Sequence, residues 1–138
     1  MLLIPGGWGE NTRVDVKPYL DWIRSAAERA EYVLTVCTGA ALLASTGFLD
    51  GRAATTNKAL YRWATSKGPR ARWVAEARWV QDGKVFTSSG VSAGIDMALA
   101  ALAAMEGMQV AEAVAKGCEY RWEKNAKSDP FARAYGLA

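Results

Sequence analysis

The chain has 138 residues, 51% hydrophobic and 22% charged, with a formal net charge of +3, which suits a single domain with a sizeable core. Two cysteines are too few for a disulfide framework, no stretch of ~18 unbroken apolar residues suggests a membrane span, and residues 1–4 are too short and insufficiently basic for a signal peptide. There is no histidine, which excludes from this chain any triad or zinc site that needs one; a cytoplasmic protein without metal or organic cofactor is the expectation.

Residues 1–4 form a short apolar run stopped by Pro5-Gly6-Gly7, the pattern of a buried strand ending in a glycine loop. Gly6 and Gly7 can expose backbone N–H groups, and a nest of these binds an anion; a plain turn is the competing reading. Thr12-Arg13-Val14-Asp15 resembles a capping box. The helix expected after it puts Val16, Leu20, Ile23, Ala27 and Ala30 on one face.

Residues 32–36 are apolar, Cys37 follows, and Thr38-Gly39-Ala40-Ala41 opens a run of small helix formers. This predicts a strand, a sharp turn and a helix with a thiol on the turn, like a nucleophile elbow. A thiol at a helix N-terminus faces unpaired N–H groups, which favour the nucleophilic thiolate. Cys37 as a small buried hydrophobe remains the alternative. Strand, helix, strand over residues 1–36 makes a βαβ unit, so the two strands should be parallel.

Residues 53–56 read as a short strand, and Asn57 can cap a helix to about residue 65. Residues 72–74 and 77–81 follow as short strands, and Asp82-Gly83 signals a hairpin to a strand over 84–88. Ser92 can cap the next helix, with Asp96 at its positive end. That helix is apolar all round to Gly107 and should therefore be buried. A last helix, over 109–124, puts Val110, Val114 and Cys118 on one face, making Cys118 a core residue. The Arg–Trp neighbours at 62–63, 72–73, 78–79 and 121–122 suit phosphates and bases, yet no basic run accompanies them. They read as amphipathic edges, and no nucleic acid partner is expected.

Three segments, LLIPGGWG, VCTGAALLASTGFLDGRAATT and QDGKVFTSSGVSAGIDMAL, together resemble the ThiJ/PfpI superfamily, related to class I glutamine amidotransferases, in collinear order over residues 1–122. The Cys-Thr-Gly elbow is most similar to the isocyanide hydratase-like subgroup. The resemblance implies an α/β, flavodoxin-like three-layer sandwich with a mostly parallel sheet and a small hairpin, and a homodimer. It implies Cys37 as nucleophile, the N–H groups of Thr38 and of Gly6 or Gly7 as binders of developing negative charge, and the Thr38 hydroxyl as a further hydrogen-bonding group. Gly90 and Val91 would line the pocket. The implied activity is hydration of a small-molecule isocyanide to an N-substituted formamide. A redox-sensing or non-enzymatic module, and a glyoxalase- or amidase-like enzyme on the same thiol, are the alternatives. Family members begin with a further strand-rich segment carrying the carboxylate beside the cysteine, so an N-terminally truncated domain is implied: a fragment, a cleaved product, or one completed by another chain. Glu10 is the nearest substitute acid, with a solvated loop residue as its competing reading. The histidine that often follows the ATT strand is Asn57 here.

Overall fold

The computed structural model describes residues 1–137, with the Glu10 side chain outside the description. Four strands form one sheet in the order β1-β2-β6-β5: β1 (Leu2–Ile4), β2 (Val33–Thr35), β5 (Trp79–Asp82) and β6 (Val85–Ser88). β1 pairs in parallel with β2, with Leu3 opposite Leu34, and β2 pairs in parallel with β6, with Leu34 opposite Phe86. β5 is the one antiparallel member, joined to β6 by the expected tight turn, where Gly83 takes φ 59°. β3 (Ala53–Ala54) and β4 (Arg72–Trp73) form a separate parallel pair.

The central strand β2 is buried throughout, as a parallel strand covered on both faces must be. Its side chains alternate between two cores. Val33 joins Ile4, Ile23, Ala27, Leu42, Leu43 and Val85 on one face. Leu34 joins Trp79, Phe86, Met97 and Ala101 on the other. The first face is covered by α2 (Lys17–Arg29) and α3 (Gly39–Ser45), the second by α5 (Ala93–Glu106), which packs in turn on α6 (Met108–Gly117). The result is the three-layer, parallel-dominated α/β architecture expected from the sequence.

Local departures have physical causes. The Thr12–Asp15 capping box is not used: Thr12 Oγ1 donates to the Gly9 carbonyl at the end of a short helix, α1 (Trp8–Asn11). α2 starts later, with Val16 at its N-cap and Pro18 in its first turn, where a missing N–H costs nothing. Asn57 Oδ1 accepts from the Leu60 N–H at 3.0 Å, and the helix it precedes, α4, runs Tyr61–Ser66. α5 is not buried all round, since Ile95 and Ala98 are exposed. Its inward face instead carries a charge, Asp96, which is fully buried.

Cys118 requires a correction, being exposed rather than in the core. α6 presses Ala111 and Ala115 inward, small residues one turn apart that allow close helix approach. Val110, Val114 and Cys118 form the neighbouring stripe and face outward. The helix also stops at Gly117, short of residue 124, because Glu119 takes φ 51° and the Tyr120 N–H turns back to the Ala115 carbonyl.

Candidate active site

Cys37 sits where the chain leaves β2 and enters α3, at φ 58°. A non-glycine residue in the left-handed region is uncommon and marks strain held by its surroundings. Here the surroundings are tight. The Cys37 N–H donates to the Ser89 carbonyl at 3.1 Å, the Gly39 N–H returns to the Val36 carbonyl at 3.0 Å, and Thr56 Oγ1 donates to the Cys37 carbonyl at 2.9 Å. One bond within the turn and two from segments distant in sequence, around Thr56 and Ser89, thus hold it. Cys37 itself is half-buried, with its side chain in a cleft.

Glycines are required for close approach at two places. A Cβ on Gly39 would stand 2.3 Å from the Ile4 carbonyl oxygen, so α3 lies directly against the end of β1. A Cβ on Gly6 would stand 2.7 Å from the Thr38 nitrogen and 2.9 Å from Cys37 Cβ, so the glycine loop lies directly against the elbow. That loop is tied there by one bond, from the Gly7 N–H to Thr38 Oγ1 at 3.1 Å. The Gly7 N–H is therefore engaged, while the Thr38 N–H has no acceptor among the described residues.

The cleft has a volume of about 530 Å³. Gly6, Gly7, Cys37, Thr38 and Val91, all named from the sequence, line it together, whereas Gly90 lines an adjoining cleft. Glu10 belongs to α1, and its side chain lies outside the described residues. Sequence reasoning did not single out Trp8, Asn11 and Leu60, which also line the thiol cleft. Trp8 is 80% exposed at its margin, and Asn11 Oδ1 is buried with no hydrogen-bond partner among the described residues. The signal for these two was the α1 turn directly after the glycine loop. Asn57 lines the cleft as well.

Two buried ion pairs flank this region. Lys58 Nζ lies 3.1 Å from Asp129 Oδ2, both side chains 2% exposed, and it also donates to Thr55 Oγ1 at 2.7 Å and the Ala77 carbonyl at 2.9 Å. Burial pulls the Lys58 ammonium below its ordinary value, opposed by the bond and charge of Asp129. Arg78 binds Asp96 Oδ2 through Nη2 at 2.6 Å and Nε at 2.7 Å. Neither pair was foreseen, because the partners stand 71 and 18 residues apart. Among the described residues no group of three or more His, Cys, Asp or Glu could hold a metal ion, and no helix is long and apolar enough to cross a membrane.

A strained cysteine between a buried parallel strand and a short helix, faced by a glycine loop, defines a flavodoxin-like α/β protein with a thiol elbow. The chain belongs to the DJ-1/PfpI family, whose model matches residues 1–104. It is 37% identical over 131 residues to an isonitrile hydratase from Pseudomonas putida, across 95% of this chain and 54% of that protein. It therefore spans about half the length of that relative. Among solved structures, a ThiJ/PfpI family protein from Pseudomonas syringae superposes with a TM-score of 0.78 at 25% identity, over 99% of this chain and 59% of that one. Drosophila melanogaster DJ-1beta superposes with a TM-score of 0.73 at 23% identity, over 87% and 63% respectively.

Proposed function

We propose that this chain carries the thiol half of a small-molecule hydratase site acting on isocyanides. The observation that carries this reading is Cys37 at φ 58° in a cleft it lines together with Gly6, Gly7 and Thr38, in a chain 37% identical to an isonitrile hydratase. The Cys37 thiolate attacks the terminal carbon of the isocyanide, and a proton joins that carbon to give a thioimidate. Water then adds to the same carbon, the C–S bond breaks, and the N-substituted formamide leaves as the thiol is restored. The Thr38 N–H, the Thr38 hydroxyl and the glycine loop stabilise charge that develops on the way. Gly90 and Val91 shape the pocket wall. The proton-transfer group is a carboxylate outside the described lining of the cleft, supplied by Glu10, another segment or a second copy. Such help contributes roughly 10²–10⁴-fold. A homodimer in the cytoplasm belongs to the same reading, and light scattering tests the dimer.

The test is formamide formation from a simple alkyl isocyanide, with Cys37→Ala as control. The expected result is product with the native thiol and none with the variant, while circular dichroism stays unchanged. Equal product from both would overturn the reading.

A second reading rests on the absence of any carboxylate among the described residues lining the cleft. Here Cys37 is an oxidisable switch that climbs to sulfinic acid. Mild peroxide followed by mass analysis separates the two: selective oxidation at Cys37 without isocyanide turnover favours the switch.

A further inference from the structure

The thiol cleft is bordered by Asn57. A second cleft of about 420 Å³ opens beside it and shares Asn57, Ala59 and Val91 with it. Its outer wall is α7 (Phe131–Ala134) with the residue that follows, Tyr135. Phe131 and Tyr135 are one turn apart and lie on the same side. They are 52% and 53% exposed. Two large aromatics left wet along a concave wall are a feature of a binding surface. The wall is anchored from below: Asp129 holds buried Lys58 and accepts the Phe131 N–H on Oδ1 at 2.8 Å.

The charges that border this cleft are already matched. Lys58 is engaged by Asp129, Thr55 and Ala77, and Arg78 by Asp96. Among the described lining residues an incoming ion of either sign would find no unpaired counter-charge, which favours an uncharged occupant. The size fits a ring, since a dry cavity of about 150 Å³ already accepts benzene. Gly90 lines the second cleft, and a Cβ there would lie 3.4 Å from Nδ2 of Asn57, which borders both clefts.

We propose that this second cleft receives an uncharged, ring-bearing substituent of the substrate whose reactive carbon lies at Cys37, and that Phe131 and Tyr135 select for it. The proposal rests on Cys37 being the reacting atom of the proposed function. It is tested without requiring turnover. In a Cys118→Ser background, Cys37 is alkylated with 2-chloroacetamide and with its N-benzyl derivative, and the ratio of rates is compared with that for glutathione. The expected preference for the benzyl reagent is on the order of tenfold, the worth of a filled apolar pocket. Phe131→Ala with Tyr135→Ala abolishes the preference and leaves the small reagent's rate unchanged, which reports an intact elbow. A native ratio equal to that of glutathione, or a ratio untouched by the double variant, overturns the proposal. A benzyl preference without any isocyanide hydration would sink the hydratase reading and leave this one standing. Hydration without the preference would do the reverse.

Discussion

The Gly7 N–H donates to Thr38 Oγ1 at 3.1 Å and so fastens the loop after β1 to the residue beside the thiol. The bond uses one lone pair of the hydroxyl and leaves its proton free to serve a bound molecule. Thr38→Val removes both functions at nearly constant shape. For the proposed isocyanide hydration we expect a fall of roughly 10²–10³-fold, the usual loss for one preorganised donor. Thr38→Ser should stay within several-fold, because it keeps the oxygen in place. Steady-state kinetics on both variants, alongside thermal melts, separate a lost donor from a loosened fold.

Gly39 and Gly117 make opposite predictions from the same substitution. Gly39→Ala drives a methyl to 2.3 Å from the Ile4 carbonyl oxygen and 2.9 Å from that of Pro5. Backbone cannot yield as a flexible side chain does, so the cost is about 1–3 kcal/mol or more. Gly117→Ala, at the end of α6, meets nothing within 4 Å and should gain about 0.4–1 kcal/mol by restricting the unfolded chain. Urea denaturation of the two variants checks both signs.

Asp96 gathers the segment after α6 onto the second core. Besides Arg78 it accepts the Tyr120 hydroxyl at 3.1 Å and the Glu123 N–H at 2.8 Å, all on a side chain with no exposure. Asp96→Ala leaves the Arg78 guanidinium, whose side chain is 16% exposed, without its counter-charge. A loss of about 3–5 kcal/mol is expected. Residues 119–126 should become the first site of protease cleavage, and limited proteolysis reads this directly.

Burial, together with the Asp96 charge and bond, holds the Tyr120 phenol above its ordinary value of 10.0. The folded chain thus keeps that proton more tightly than the unfolded one. The corresponding stability is complete below pH 10.0 and is lost as pH rises through and beyond it. Lys58 works the other way, because its ammonium is pulled below the ordinary 10.5. The unfolded chain then binds the extra proton, and stability gains with pH in the window beneath 10.5. Tyr120→Phe should therefore flatten the alkaline decline, measured as unfolding free energy between about pH 8 and about pH 11. A steeper decline in the variant would contradict the assignment.

The elbow was legible because its physics is local. An apolar run, one cysteine and a cluster of glycine and alanine leave few conformations, and the Cys37 turn follows from them. The hairpin at Gly83 was legible for the same reason. α6 was not, because alanine and valine stripes run side by side along it and only the packing partner chooses between them. α5 settled that choice in favour of Ala111 and Ala115, which turned Cys118 to solvent. The Lys58–Asp129 pair was beyond sequence reasoning, since a lone lysine after a strand normally stays in water and its partner lies far along the chain.

β1 stands at the margin of the sheet, bonded to β2 alone among the described strands. The glycine loop hangs from that margin, and through Gly6 and Gly7 it touches Thr38 and Cys37. One jaw of the thiol cleft is thus mounted on a three-residue cantilever, while the opposite jaw is bolted into the interior. Whatever grips the outer rim of that cantilever sets the bite.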